Sequence, residues 1–318
     1  MKKKIKVAVI GGGNGSAVVT VALKQHLNKF DISAIVSMSD SGGSSGRLRR
    51  EFDTLPTGDI MRTILSLSKY DYLMLRQIFY GNRFLDAGKL NDHNLGNLFL
   101  VLAEKYGGNF IQALSALEQG VEAVGRVYPV TLDQTDLCVE LTNGKIVKTE
   151  AKIDVPQYNR AWKIKEAWLE PAGCIFMGAK KAIEQADYII LAPGSLYTSV
   201  IAALLPKGVK SAIARSSAKL IYVCGDAYRL DGETGPEKLS DIIGDLEEYL
   251  PRSLDLVIYN NAPVSRRQKI TWKKHKWSAF EFDQENLGDK KIISRPYRRD
   301  DGGLCAIKLG HILKNILK

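Results

Sequence analysis

The chain has 318 residues, 45 lysines and arginines against 35 aspartates and glutamates, and a formal net charge of +10 with a pI near 9.3. With 45% hydrophobic and 25% charged residues and a mean hydropathy of −0.12, it can bury one large core or two modest ones, which excludes a wholly disordered, collagenous or coiled-coil chain. Cys138, Cys174, Cys224 and Cys305 stand far apart in apolar surroundings, with no CxxC pair and no histidine at zinc spacing, so they read as reduced core residues rather than as a catalytic thiol or zinc site.

Met1-Lys2-Lys3-Lys4 looks like the start of a signal peptide, but the apolar run that follows, residues 5–10, breaks into Gly11-Gly12-Gly13 before reaching the roughly 7 to 15 residues such a segment needs. The uncharged stretch 188–206 approaches membrane-spanning length, yet Pro193-Gly194-Ser195 divides it into a strand, a loop and a helix start. The expectation is a cytoplasmic protein with no transmembrane segment.

Residues 5–10 form a β-branched run and residues 16–27 carry apolar positions at helical spacing, so the chain opens strand, glycine loop, helix; residues 32–38 are the next strand. This opening predicts an α/β, Rossmann-like fold: a mostly parallel sheet with helices on both faces, and ligands at the carboxyl ends of its strands. A helical insertion is expected over about 59–120, with helices at 60–68, 72–80, 95–106 and 110–117. Alternation on both sides of Asn143-Gly144 predicts a β-hairpin. A further strand is expected at 164–169, a helix near 175–186, and strands at 188–191, 220–223 and 254–259. With no repeat or low-complexity linker, residues 1–263 read as one interwoven domain, and 264–318 as a basic C-terminal extension packed on it. That extension has 14 basic and 6 acidic residues, and Arg266 to Lys276 holds six cations and no acid. Cations interleaved with Trp272, His275 and Trp277 read as a solvated edge strand, with nucleic-acid or membrane-surface binding as the competing reading.

Gly11-Gly12-Gly13-Asn14-Gly15-Ser16 sits between a strand and a helix, where missing side chains let backbone amides approach an anion. Its spacing satisfies neither GxGxxG nor a P-loop, which places a nicotinamide dehydrogenase low. Residues 39–50 read as a loop after the second strand, offering the Asp40 carboxylate, the amides and hydroxyls of Ser41 to Ser45, and the guanidinium groups of Arg47, Arg49 and Arg50: parts suited to a polyanion and a divalent cation. Asp59, with Arg62 one turn later, opens one helix and Asp92-His93-Asn94 another; taken singly, each is as well explained by capping as by a site. The loop of Gly194, Ser195, Leu196, Tyr197 and Thr198 could take a second phosphate or a sugar.

Taken in this order, these segments resemble the family that unites the 2-phospho-L-lactate transferases of deazaflavin-cofactor synthesis with the bacterial gluconeogenesis-factor proteins. Gly125-Arg126-Val127 and Leu169-Glu170-Pro171 add to the likeness, which covers most of residues 5 to about 260. The resemblance implies a site for a nucleoside diphosphate conjugate: in the transferase branch a donor of a phospholactyl group, used with Mg²⁺, and in the bacterial branch a UDP-sugar bound by a regulator of cell shape and carbon metabolism. It implies that Asp40 and Asp59 are the metal- or diphosphate-facing carboxylates and that these two and His93 are the catalytic residues. Arg47 and Arg62 would neutralise phosphate charge, and His93 and Asn97 would line the acceptor or sugar side. Gly11, Gly12, Gly13, Asn14, Gly15, Gly42, Gly43, Ser44, Ser45, Gly194, Ser195, Tyr197 and Thr198 complete the expected ligand-binding set. Ser41 stands where the family often has a second Asp, Ala192 where it has Gly, and Cys224-Gly225-Asp226 lacks its usual Asn. This thin carboxylate set favours a nucleotide-sugar-binding regulator over a transferase. A homo-oligomer fits either reading.

Overall fold

In the computed structural model, which describes residues 3–300 and 302–318, the apolar run after the basic start becomes an interior strand of a parallel sheet. Met1 and Lys2, part of the signal-like start, lie outside the described residues. Strands β1 (Ile5–Gly11), β2 (Phe30–Val36) and β3 (Arg126–Pro129) pair side by side. Strands β4 (Asp136–Leu141), β5 (Ile146–Lys148) and β6 (Ile164–Glu170) form a separate antiparallel sheet. Strands β7 (Tyr188–Leu191) and β8 (Lys219–Val223) return to the main sheet; β9 (Tyr228–Arg229) leaves it, β10 (Leu256–Asn260) rejoins it, β11 (Trp277–Ser278) pairs with β9, and β12 (Ile292–Arg295) forms an edge.

The seven-stranded order is β12-β10-β8-β7-β1-β2-β3, every pair parallel. The chain therefore winds outward from β1 in one direction and later from β7 in the other. In such a sheet the crevice lies where the order reverses, outside the carboxyl ends of the strands. Here that point is between β1 and β7. Val7, Ala8, Val9 and Ile10 are at most 1% exposed, as covering on both faces requires.

Helices α1 (Gly13–Lys24), α2 (Gly43–Phe52) and α3 (Gly58–Leu67) follow the first two strands; α4 (Tyr72–Arg76), α5 (Leu95–Gly107) and α6 (Phe110–Gly120) complete the insertion. A short α7 (Glu150–Asp154) follows the hairpin, and α8 (Met177–Glu184), α9 (Val209–Arg215), α10 (Leu239–Glu248), α11 (Arg266–Lys274) and α12 (Ala306–Ile316) complete the set. α1 packs against both α3 and α12. Gly310 permits the second crossing, since a Cβ there would lie 2.7 Å from the Ala22 carbonyl. Gln25 Nε2 donates to the Ala306 carbonyl at 3.1 Å, Lys29 Nζ to that of Lys314 at 2.7 Å, and Tyr188 Oη to that of Lys318 at 3.2 Å. No helix among the described residues is long and apolar enough to cross a membrane.

Four expectations change. Residues 43–52 are a helix, not a loop: Gly42 is extended, Gly43 turns the chain with φ 45°, and burial of Leu48 holds α2 in place against its glycine- and serine-rich composition. The helix expected at 72–80 ends at Arg76 and continues as one π turn, Gln77–Gly81. The basic segment is helix α11, not an edge strand. Ser265 and Gln268 form a capping box, Trp272 is buried under the Arg298 guanidinium at 5.0 Å, and only Trp277–Ser278 is extended. All four cysteines are free, but Cys174 is exposed and Cys305 half-buried, so only Cys138 and Cys224 belong to the core.

Two glycines give a paired test of this packing. A Cβ on Gly46 would lie 1.9 Å from the Ser41 carbonyl, whereas Gly244, exposed within α10, has open space. Gly46→Ala should cost about 1–3 kcal/mol through overpacking, and Gly244→Ala should add roughly 0.5–1 kcal/mol through helix propensity. Urea denaturation of both variants checks the opposite signs.

Candidate functional site

At the reversal point the β1 loop and the β7 loop touch: a Cβ on Gly15 would lie 1.5 Å from the Pro193 carbonyl. This contact opens onto a polar cleft of about 650 Å³. Gly12, Gly13, Asn14 and Gly15 form one wall, the start of α2 a second, Asp59 and Arg62 of α3 a third, and Gly194, Ser195, Thr198 and Ser199 a fourth. A Cβ on Gly12 would come within 2.8 Å of Asp59 Oδ2, and one on Gly58 within 2.7 Å of Ser45 Oγ. Backbone and functional side chains thus meet without intervening atoms.

Asp40 Oδ1 accepts from the Gly42 amide at 2.9 Å. Burial and the facing Asp59 charge push the Asp40 carboxyl up to about 6. Glu150, at the start of α7, accepts from the Ser41 amide at 3.2 Å, and Ser41 Oγ accepts from the Ala151 amide at 3.0 Å. Burial and the Asp40 charge push the Glu150 carboxyl up to about 8. The residue before it, Thr149, holds φ at 81°, a conformation that a β-branched residue adopts only under constraint. Facing these carboxylates is Arg62, 3.6 Å from Asp59, donating to Asn14 Oδ1 at 3.2 Å and Tyr80 Oη at 2.7 Å, with its guanidinium 4.3 Å from the Tyr80 ring centre. Arg83 also lines the cleft.

Most of the expected residues meet here, but four do not line the cleft. Gly11 closes β1, its carbonyl accepting from the Ser37 amide at 2.9 Å. Arg47, on the far side of α2, donates to the Asn91 carbonyl at 2.6 Å and approaches Asp92 at 3.8 Å, while Arg49 binds the Asp40 and Thr135 carbonyls. The Arg47 and Arg49 guanidinium groups therefore bond away from the cleft; Arg62 and Arg83 are the cations that line it. Tyr197 turns inward, donating to Asp245 Oδ2 at 2.6 Å, and the Tyr197 and Thr198 amides already serve Glu233 at 3.2 and 3.0 Å. Burial pushes that carboxyl up to about 7 although the amides oppose the shift. His93 lies behind Ser44, and the cap of α5 is Asn94, whose side chain accepts from the Asn97 amide.

The missed residues come from distant segments: Glu150 and Asp154 from α7, Tyr80 from the π turn and Arg83 just beyond it, Glu233 from the loop before α10. None stands in a motif; only the strained Thr149 marks Glu150, and sequence does not reveal φ. Beside the polar cleft lies a second cavity of about 320 Å³, lined by Tyr222, Tyr228, Trp277 and Phe280, and sharing Gly15, Asp154, Gly194 and Ser195 with the first.

The described residues contain no group of three or more His, Cys, Asp or Glu side chains arranged to hold a metal ion. Asp40 and Asp59 alone fit a weaker demand: two carboxylates whose mutual repulsion a cation would relieve, with phosphate oxygens and water completing the shell, as Mg²⁺ prefers.

The raised carboxyls set a pH dependence. Glu150 holds its proton in the folded state up to about pH 8, whereas the unfolded chain releases it near its ordinary value of 4.5. Its contribution to stability is therefore complete below about 4.5 and lost as pH rises through 8. Glu150→Gln has no such proton to lose. Its melting temperature relative to the parent should rise steadily from pH 5 to pH 8.5 without ligand; Asp40→Asn should show the same trend, steepest up to about pH 6 and shallower from there to pH 8, because the Asp40 charge also raises Glu150. Thermal denaturation across that range decides, and a flat difference counts against the cluster.

Comparison with known proteins bears on this geometry. A family model described as 2-phospho-L-lactate transferase CofD matches residues 7–296. The gluconeogenesis factor of Halalkalibacterium halodurans is 35% identical over 289 residues, 90% of this chain and 87% of that protein; the gluconeogenesis factor of Bacillus subtilis is 31% identical over 289 residues, 90% and 88%. A crystal structure from Bacillus halodurans, described as a member of the UPF0052 family, matches with a TM-score of 0.90 at 32% identity over 99% of this chain and 100% of that one. A second structure from that organism gives 0.88 at 31%, over 98% and 100%. Agreement in sequence and in fold across nearly the full length makes this chain a member of the CofD family, with gluconeogenesis factors among its relatives.

Proposed function

We propose that the chain binds a nucleoside diphosphate conjugate of the UDP-sugar type across the two joined cavities, and that occupancy is the signal by which it regulates carbon metabolism and cell shape. The observation that carries this reading is the pairing of a polar cleft, built of loop amides, Arg62, Arg83 and carboxylates, with a more aromatic cavity that shares four residues with it. A diphosphate is a polyanion suited to the first; a nucleoside presents a flat ring suited to the second. The relatives named gluconeogenesis factor support the regulatory role. Mg²⁺ held by Asp40 and Asp59 would supply charge neutralisation between the carboxylates and the phosphates. Arg62, already fixed by Tyr80 and Asn14, needs no reordering to pair with a phosphate oxygen.

The family model's name supports a second reading, transfer of a phospholactyl-type group to an alcohol such as a deazaflavin. The two separate on one measurement. Calorimetry with UDP-, GDP- and ADP-sugars, with and without Mg²⁺, should give saturable binding of at least one; release of nucleoside monophosphate on addition of an alcohol acceptor would select the transferase. Arg62→Ala should weaken the bound nucleotide by roughly 10- to 100-fold, the loss of a charge-assisted hydrogen bond. Absence of heat with the whole panel would sink both readings.

A further inference from the structure

At the wall of the polar cleft three side chains, from α2, α5 and the turn before α5, form a chain of hydrogen bonds. Ser44 Oγ lies 2.8 Å from His93 Nδ1, and Asn97 Nδ2 donates to the same Oγ at 3.0 Å. Ser44, His93 and Asn97 are 3%, 2% and 2% exposed, yet Ser44 and Asn97 line the cleft. Asn97 Oδ1 is buried with no partner, which is costly unless something else supplies a donor.

A serine oxygen has one hydrogen and two lone pairs. Asn97 takes one lone pair. A neutral imidazole bare at Nδ1 takes the hydrogen, and what remains toward the cleft is the second lone pair. Next to it lies the unpartnered carbonyl oxygen of Asn97. Two acceptors without a donor are a poor seat for a phosphate and a good one for a hydroxyl.

We propose that Ser44 and Asn97 form a hydroxyl-reading subsite for the non-nucleotide end of the conjugate, a sugar or other polyol, and that His93 is the positioning residue that fixes its polarity by holding the Ser44 proton. The inference rests on the reading of the cleft as a nucleoside diphosphate conjugate site and adds which residues recognise the tail.

The arrangement carries a switch. Burial, and after it the Arg47 charge, pulls the His93 imidazole below its ordinary range; Arg83 acts in the same direction and Glu51 and Asp92 in the other. At neutral pH it is therefore the unprotonated acceptor. In acid both ring nitrogens carry hydrogen, Nδ1–H donates to Ser44, and the Ser44 hydrogen turns toward the cleft. The subsite then offers a donor where it had offered an acceptor.

Two measurements test this. In ¹⁵N-histidine-labelled protein at pH 7.5, the His93 ring should show a bare Nδ1 and a protonated Nε2; an Nδ1–H tautomer overturns the proposal without any ligand. Calorimetry then compares the nucleoside diphosphate glucose that binds with the methyl ester of the same nucleoside diphosphate, which keeps the phosphates and lacks the sugar hydroxyls. The glucose conjugate should bind about fivefold tighter at pH 7.5. That advantage should vanish in Ser44→Ala, and should fall in the parent protein once acid, followed by the same ¹⁵N signals, has protonated both His93 ring nitrogens. An undiminished advantage in the variant overturns this inference and leaves the parent reading standing, whereas no binding of either compound overturns both.

Discussion

The contact between Gly15 and the Pro193 carbonyl is the constraint on which the rest of the site depends. Two loops reach the same point because their strands, β1 and β7, are neighbours at the reversal of the sheet. No residue with a side chain fits between them. The closeness leaves the amides at the start of α1 and the hydroxyls after β7 facing one space. The same device recurs where Gly12 meets Asp59 and Gly58 meets Ser45, so the cleft walls are backbone where a ligand must come close and side chain where charge is needed.

That geometry is bought with electrostatic stress. Burial raises both carboxyls, the Asp40 charge raises Glu150 and the Asp59 charge raises both; the Gly42 amide, the Ser45 hydroxyl and the Arg62 charge oppose the shift at Asp40, and the Ser41 amide opposes it at Glu150. Such a group destabilises the free protein and is relieved by a cation or by protonation, as expected where a fold gives up stability for recognition. Thr149, held at positive φ to present Glu150, belongs to the same account.

How much of this could be read beforehand follows from the range of each interaction. Strands β1 and β2 announce themselves because β-branched residues and the glycines after them lie within a few positions. The hairpin of β4 and β5 does so through Asn143-Gly144. Glu150 carries no such mark, since it enters the cleft only because that hairpin folds over the Ser41 loop more than a hundred residues away. Helix α2 was hidden by glycine and serine, whose low propensity is overridden by burial of Leu48. Helix α11 illustrates the reverse. Ser265 and Gln268 spell a capping box at the right spacing, but alternating cations and tryptophans match extended chain as well, and the packing of Trp272 beneath Arg298, which decides for the helix, is a contact across 26 residues. Arg47 and Tyr197 sit inside motifs that do form the site, yet point away from it, because a motif fixes backbone position and not side-chain direction.

The anchoring of the last helix reaches further than its distance from the cleft suggests. Residues 306–318 lie along α1 and hydrogen-bond Tyr188 of β7, so they brace from behind the two elements whose front ends hold Gly15 and Pro193. A bulky fusion, a nick or a binding protein that pried this helix loose would slacken the gap between those loops without touching one residue of the cavity. The rear of the molecule is in this sense a remote handle on its mouth.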